Sequence, residues 1–580
     1  MSYYLNNIAS LLGIFVLLGL SFNLLMGYAG LFSVAHGAFF GLGAYTTGIL
    51  LKEYEWEFLP SMVVAFLLCG LISLLLGAAA GRVSDIYLVI VTLAFQVAAV
   101  AVFSNLDLTG GAGGLVGIKR PTVFGYELTS PEVIVLIWVV TIVATVALWA
   151  LVRSPFGRGL EALREDELAA RSLGKATSTT KVKVFALSSA IAGVAGSLLA
   201  VHLRYISPAE FTLERSVEIL SLTIIGGMAA FWGPWIGAAV VVLVPQALSF
   251  LALPGSVIGA VNALLFSILV LLFLRFRPQG LAGRRNRSVD GRGAGPAAAP
   301  STGAGDGPKG DAPGAAAPTG MLPVAERSGP SRVLRCEGVS IAFGGLKAVD
   351  NVSLTLRPGE VTGLVGPNGA GKTTLFNLLS GLLPPTGGRV YFGDRDITRM
   401  SLDARARAGI VRSFQDMRLF LGLSCRDNLL LALTPPGDEG IIPVRRLLGA
   451  RGGEAGRRQR ADQLLAHVGL AHAADTPAGD LSYAEQKLLM VVRLLATDAE
   501  CYLLDEPMSG LDEAGRERIL DLLRETAASG ATICLVEHSL DVMNKVCSHI
   551  AFLADGALLR EGPTAEITGD KELAAIYFGG

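Results

Sequence analysis

Apolar runs of about 20 residues recur through the first half of the chain, and no other sequence feature constrains its fold so strongly. A helix needs roughly that length to cross the hydrocarbon of a bilayer. The runs fall near 8–26, 31–50, 60–81, 86–103, 133–152, 183–205, 217–230, 234–252 and 256–276. They have almost no polar face at helical spacing, which argues against buried core helices of a water-soluble domain. The seventh run is short. The second is rich in glycine, a composition that suits a broken or re-entrant segment. The expectation is an all-α polytopic membrane domain over residues 1–283 with about nine spans. The first run lacks a basic start and further spans follow it, so it reads as a span and not as a cleaved leader.

Cations orient these spans, because loops rich in Lys and Arg stay on the cytoplasmic side. The loop 153–183 carries Arg153, Arg158, Arg164, Arg171, Lys175, Lys181 and Lys183, and the stretch after the last run carries Arg275, Arg277, Arg284, Arg285 and Arg287. The loops 52–58, 104–132 and 206–216 are poorer in cations and are expected outside. The multi-pass part is thus expected in the cytoplasmic (inner) membrane, in contact with lipid, with the C-terminal half in the cytoplasm.

Composition then changes sharply. Between Gly291 and Gly320, 23 of 30 residues are Gly, Ala or Pro. Such a segment cannot bury enough apolar surface to offset its ordering entropy. Residues 284–330 therefore read as a disordered linker, whose 45 or so residues would span roughly 35–40 Å as a flexible coil. From 331 to 580, short β-rich runs such as 361–365, 501–505 and 532–537 alternate with helical patterns, as in an α/β domain with a largely parallel sheet. The net charge of -1 is uninformative about partners, but no basic face dominates, so nucleic acid is not an expected partner. Six cysteines, none at a CxxC spacing, exclude a zinc or disulfide framework.

Chemistry enters at Gly366-Pro-Asn-Gly-Ala-Gly-Lys-Thr373, which fits the phosphate-binding pattern G-x-x-x-x-G-K-[ST]. An apolar strand pattern precedes it and a helical pattern, 374–379, follows. Gly366, Asn368, Gly369 and Gly371 let backbone N–H groups approach phosphate, and the start of the helix, with Thr373 and Thr374, adds its dipole. Lys372 is expected on the β- and γ-phosphates and Thr373 on Mg²⁺, so ATP and Mg²⁺ are the expected cofactors. A second apolar strand pattern ends in Asp505-Glu506. There Asp505 suits the metal, and Glu506 suits the proton of an attacking water.

With these motifs in place, residues 331–580 resemble the ATPase domain of ABC transporters, a P-loop α/β fold, over their whole length. The matching segments are Phe343 in Ala-Phe-Gly-Gly-Leu-Lys-Ala-Val, Gln415 in Arg-Ser-Phe-Gln-Asp, Leu481-Ser-Tyr-Ala-Glu-Gln486, Ser509-Gly-Leu-Asp512 and Val536-Glu-His538. The resemblance implies adenine stacking by Phe343, a metal- or water-binding Gln415, phosphate contact by Ser482 at a helix start, and γ-phosphate contact by His538. Phe-Gly-Gly-Leu-Lys-Ala-Val, Arg-Ser-Phe-Gln-Asp-Met-Arg-Leu-Phe and the tyrosine of the signature are similar to the branched-chain amino acid importers in particular. One departure is visible. That family's signature reads Leu-Ser-Gly-Gly-Gln or a Tyr-Gly-Gln version, whereas Ala484 and Glu485 stand here. Glu485 brings negative charge toward phosphate unless it turns away or pairs, which suggests two unequal ATP sites.

The first 283 residues independently resemble the permease of the same family. The matching stretches are 20–45, Thr109-Gly-Gly-Ala-Gly-Gly-Leu, Ile206-Ser-Pro-Ala-Glu-Phe and Gly226-Gly-Met-Ala-Ala-Phe-Trp-Gly-Pro234. Asn23, His36 and Gln96 lie within apolar runs, and His36 reads as a packing and hydrogen-bonding group. Segment 154–174 reads as a short amphipathic helix with Leu160, Leu163 and Leu168 apolar. It resembles the loop by which importer permeases dock on their ATPase. The combined expectation is ATP-driven import of branched-chain or related amino acids, with urea or short amides as the alternative solutes. A second permease, a second ATPase and an external solute-binding protein are the implied partners.

Overall fold

The computed structural model describes residues 2–80, 85–249, 332–435, 438–440, 452–570 and 572–573, with scattered positions between 261 and 282. The run expected at 256–276 falls mostly, and the linker expected at 284–330 falls wholly, outside the described residues. Two compact units emerge: Met1–Arg164 with Thr177–Asn286, and Glu165–Ala176 with Arg287–Gly580.

The first unit is helical. α1 (Ser2–Phe22) runs on into a π-helical turn, Asn23–Tyr28. α2 (His36–Glu53), α3 (Phe58–Ala80), α4 (Asp85–Asn105) and α5 (Ser130–Val152) follow. Then come the short α6 (Pro155–Glu165) and α7 (Glu167–Ser172), the long α8 (Thr177–Leu203), and α9 (Leu213–Gly226) and α10 (Gly233–Ser249). Among the described residues, five helices are long and apolar enough to cross a membrane. The glycine-rich second run is helical only from His36. The seventh and eighth runs, expected as spans, form helices of 14 and 17 residues. Two small antiparallel pairs lie in the connections: β1 (Leu115–Val116) with β4 (Tyr205–Ile206), and β2 (Thr122–Val123) with β3 (Tyr126–Glu127).

Glycine makes the helix contacts close. A Cβ on Gly43 would lie 2.0 Å from the Gly193 carbonyl, and one on Gly196 would lie 1.9 Å from that of Phe40. α2 and α8 thus touch backbone to backbone, as small residues permit within membranes. The polar groups within the apolar runs find partners. Asn23 bonds Ala230 O and Ala229 N at 3.1 and 3.0 Å. His36 Nε2 meets Ser188 Oγ at 3.0 Å. Gln96 accepts from Ala38 N at 2.7 Å and donates to Phe211 O at 2.7 Å. His36 is fully buried, and its Nδ1 has no hydrogen-bond partner among the described residues.

The second unit is α/β. β5 (Leu334–Phe343), β6 (Leu346–Leu356), β8 (Gly387–Phe392) and β9 (Arg395–Asp396) form an antiparallel sheet in the order β6-β5-β8-β9. β10 (Ile410–Arg412), β11 (Cys501–Asp505), β12 (Thr532–Val536), β7 (Val361–Val365) and β13 (His549–Ala554) pair in that order and in parallel. β14 (Ala557–Pro563) closes the edge antiparallel to β13. The core lies among Leu334, Val352, Leu364, Phe376, Leu503 and Val536, which come from both sheets and from the helix Lys372–Ser380. β7, β11 and β12 are buried along their whole length, as continuous apolar runs in a covered parallel sheet should be.

The segment expected as one amphipathic helix is two. Asp166 is extended and caps α7, its side chain accepting from Ala169 N. A carboxylate that satisfies an orphan amide starts a new helix there. Leu160 and Leu163 are buried in the first unit, while Leu168 is only half-buried in the second.

Candidate functional site: a nucleotide-binding ATPase centre

The C-terminal ends of β11, β12 and β7 lie side by side, with Asp505 in register with Val536 and Val536 with Leu364. In parallel α/β sheets that edge is where ligands bind. β7 runs directly into Gly366–Gly371 and then into the helix Lys372–Ser380. Gly366 (φ +153) and Gly371 (φ +93) hold backbone angles that disfavour a side chain. A Cβ on Gly366 would sit 2.0 Å from Leu553 O, and one on Gly371 would sit 2.3 Å from Ala348 O. The loop is therefore pressed against β13 and β6 by residues that only glycine can supply. Asn368, Gly369 and Thr373 are exposed, and Thr374 is half-buried. The Lys372 ammonium is held by the carbonyls of Gly366 and Pro367 at 2.6 and 2.9 Å. Burial lowers its pKa, against the pull of Glu506 and Asp505.

Asp505 ends β11 almost fully buried. Its amide donates to Ser413 Oγ at 2.7 Å. Among the described residues its Oδ2 has no hydrogen-bond partner, and the Arg412 guanidinium lies 3.9 Å away. Burial pushes this carboxyl above the usual range, with Arg412 and Lys372 opposing and Glu506 adding to the shift. A buried carboxylate oxygen left without a donor, beside a glycine cradle for phosphate, is chemistry that a nucleotide-bound divalent cation would complete.

Glu506 follows in the left-handed region, at φ +47. Its amide donates to Val536 O at 2.9 Å, and its carbonyl accepts from Lys487 Nζ at 3.2 Å. Backbone strain of this kind gathers at functional positions. The Glu506 carboxylate meets His538 Nε2 at 2.7 Å, the histidine the more exposed of the two. Phe343, half-exposed at the end of β5, opposes Leu346 in the hairpin whose Ala348 touches the loop. Gln415 sits exposed on the bend after β10 with no side-chain hydrogen bond among the described residues.

The signature segment carries its own answer to the Glu485 charge. Ser482 caps the helix Tyr483–Leu495, and Glu485 completes a capping box. Ser482 N and Oγ donate to Glu485 Oε2 at 2.9 and 2.7 Å. His472 Nε2 lies 3.5 Å from the other carboxylate oxygen. The hydrogen bonds from Ser482 and the nearby His472 hold this carboxyl below its ordinary value. The expected charge conflict is thus met within the helix start itself.

Sequence reasoning missed Arg412 and Lys487. Arg412 is buried and bonds Asn377 Oδ1 at 2.5 Å and Ser380 Oγ at 3.1 Å, tying β10 to the helix Lys372–Ser380. Burial lowers its pKa to about 10. It stands in the quoted Arg-Ser-Phe-Gln stretch, but only contacts across the fold disclose its use.

Segment 165–176 is built into the same unit. Asp166 pairs with Arg418 at 2.7 Å, and the Glu165 carboxylate accepts from Gly422 N at 3.1 Å. Gly174 O accepts from Arg407 at 3.2 Å. Lys175 is buried, pairs with Glu439 at 2.6 Å and donates to Thr434 O at 2.8 Å.

Cradle, buried carboxylate and strained glutamate define a P-loop ATPase, joined here in one chain to a helical apolar unit. A family model described as the permease component of branched-chain amino acid transport systems matches residues 4–274, and one for ABC transporters matches 349–509. The high-affinity branched-chain amino acid transport ATP-binding protein LivG of Salmonella typhimurium is 34% identical over 249 residues, 43% of this chain and 98% of that one. The probable LivG of Methanocaldococcus jannaschii is 32% identical over 253 residues, 43% and 97%. The high-affinity permease protein LivM of Escherichia coli K12 is 33% identical over 300 residues, 47% of this chain and 69% of that one. The chain belongs to the branched-chain amino acid ABC transporter family and carries both its permease and its ATPase. ATP hydrolysis coupled to transport follows from that membership.

Proposed function

We propose that this protein uses ATP to move branched-chain or related amino acids inward across the cytoplasmic membrane. It works with a second permease, a second ATPase and an external solute-binding protein. The observation that carries this reading is segment 165–176. It lies in the permease half of the sequence, yet it is seated on the ATPase through Asp166, Gly174 and Lys175. It is placed to pass a change in the nucleotide site to the spans.

In this reading Gly366, Asn368, Gly369, Gly371, Lys372, Thr373 and Thr374 cradle the phosphates, and Phe343 stacks on the base. Asp505 holds Mg²⁺ with Thr373 and Gln415, and the cation supplies charge to the phosphates. Glu506 accepts the proton of the attacking water, with His538 as its partner. Ser482 faces nucleotide held by a second ATPase. Because its hydroxyl proton is already given to Glu485, it offers phosphate less than a free serine would. The ATP site completed by this signature is therefore the slower of two.

The test is uptake of labelled leucine by proteoliposomes that hold the full assembly, with binding protein outside and ATP inside. ATP-dependent accumulation is expected. Hydrolysis without any solute movement, in either direction, would refute the reading.

A further inference from the structure

The first unit presents two outward surfaces of opposite character. On α3, α4 and α5 the exposed side chains are apolar, among them Leu67, Leu71, Ile90, Val97, Val139 and Val143. Such a surface suits hydrocarbon. α9 and the short turn Pro208–Phe211 before it instead carry exposed Glu214 and half-buried Glu210 and Glu218 beside exposed Leu213 and Val217.

These carboxylates do not sit at the end of a span. The Arg215 guanidinium lies 5.6 Å from the centre of the Phe15 ring, and Phe15 is near the middle of the span Tyr4–Tyr28. Phe211 O accepts from Gln96 at 2.7 Å, and Gln96 is near the middle of Ile86–Asn105. Ser216 Oγ accepts from Gly37 N at 2.9 Å, at the start of α2. The face from Glu210 to Glu218 is therefore level with the middle of two apolar spans, a correction to the outer loop expected for 206–216.

Ionisable groups at that depth are costly against lipid and are kept where they face protein or water. Arg215 pairs with Glu210 at 2.7 Å and with Glu218 at 2.6 Å. Glu214 is exposed and has no ion pair among the described residues. Three carboxylates against one guanidinium leave an excess of two negative charges when all are ionised.

We propose that this α9 face is the contact surface for a second membrane-spanning subunit, one distinct from this chain whose facing side carries cationic groups. A second copy of this chain joined face to face would bring identical surfaces together, setting carboxylates against carboxylates. The inference rests on the reading that a second permease completes the transporter.

The test uses the assembled transporter in lipid vesicles. All six native cysteines are buried, so a nitroxide attached at Glu214→Cys reports that site alone, with Val143→Cys as the lipid-facing reference. Dissolved oxygen, which partitions into hydrocarbon, is the relaxing probe. Oxygen access several-fold lower at 214 than at 143, with no spin–spin broadening between labels at 214, is the expected result. Equal oxygen access would overturn the surface, and broadening would overturn the distinct partner. Charge is tested by the amount of second membrane subunit that co-purifies with this chain. It should fall several-fold for Glu214→Lys and less for Glu214→Gln, and identical recovery for both would overturn the complementarity. If these results hold while wild-type vesicles accumulate no leucine, the proposed transport fails and the surface stands.

Discussion

Lys175→Met separates the seating of segment 165–176 from the chemistry of ATP. Methionine keeps the length of the stem and removes the charge. The lysine has only 7% of its side chain exposed and makes two charge-assisted contacts, with Glu439 and with Thr434 O. Breaking a fully buried pair costs about 3–5 kcal/mol. Glu439 keeps 16% of its side chain exposed and can turn toward water, so we take about 2–3 kcal/mol, in line with hydrogen bonds to charged groups. At 1.4 kcal/mol per decade this is about a 30- to 150-fold loss in the seated population. Asp166–Arg418 and Arg407–Gly174 remain, so the segment frays without the ATPase unfolding. Hydrogen exchange at the amides of Ala169 and Ala170 should accelerate by the same factor. Leucine uptake per ATP hydrolysed should fall at least tenfold while nucleotide binding persists. Unchanged exchange protection, or wild-type uptake alongside accelerated exchange, would refute the reasoning.

Three further perturbations address the nucleotide site. Glu506→Gln should reduce turnover about 10²–10⁴-fold, or about 3–5 kcal/mol of barrier, with ATP binding kept because the amide can still bond His538; near-normal hydrolysis would remove Glu506 as the base. Asp505→Asn should flatten a pH dependence: an acid whose folded pKa lies above its unfolded value binds more protons when folded, so its ionisation costs stability as pH rises from its ordinary range through the raised value. Denaturation of the nucleotide-free chain at acidic and neutral pH should show that slope for wild type, its relief by Mg-ATP, and the loss of both in the variant. Glu485→Gln keeps a capping box but removes the charge beside Ser482, so ATPase turnover of the assembled transporter should rise, whereas Glu485→Ala should instead weaken the helix start by removing the acceptor of the Ser482 amide; equal turnover in wild type and Glu485→Gln would mean that both ATP sites already run alike.

What could be read in advance was what depends on near neighbours. The strands 361–365 and 501–505 end where the sequence pattern ends, because fully buried parallel strands are continuous apolar runs bounded by turn residues. The phosphate loop was legible because its glycines answer a local backbone demand. Less legible was what depends on a distant partner. Arg412 is an ordinary basic residue until Asn377 and Ser380 are brought beside it. The break in 154–174 had a signal, an Asp before Glu167, but hydrophobic spacing alone carried the pattern through it. Glu485 shows a related dependence. A carboxylate near a helix start can oppose an incoming phosphate or cap the helix itself, and the sequence pattern alone does not disclose the capping bonds to Ser482.

That break also bears on how a nucleotide signal can leave the ATPase. Arg164 donates to Gly27 O at 2.6 Å, inside the first unit. The next residue, Glu165, accepts from Gly422 N, inside the second. Consecutive Cα atoms lie about 3.8 Å apart, so these two anchors answer to different units across a single peptide bond. A helix running unbroken through 154–174 would spread any displacement over several turns. The cap at Asp166 instead starts α7 afresh within the second unit, while Leu160 and Leu163 of α6 are buried residues of the first. Gly422 lies seven residues after Gln415 in the same stretch of chain. A shift of that stretch would therefore act on Glu165 through its bond to Gly422 N.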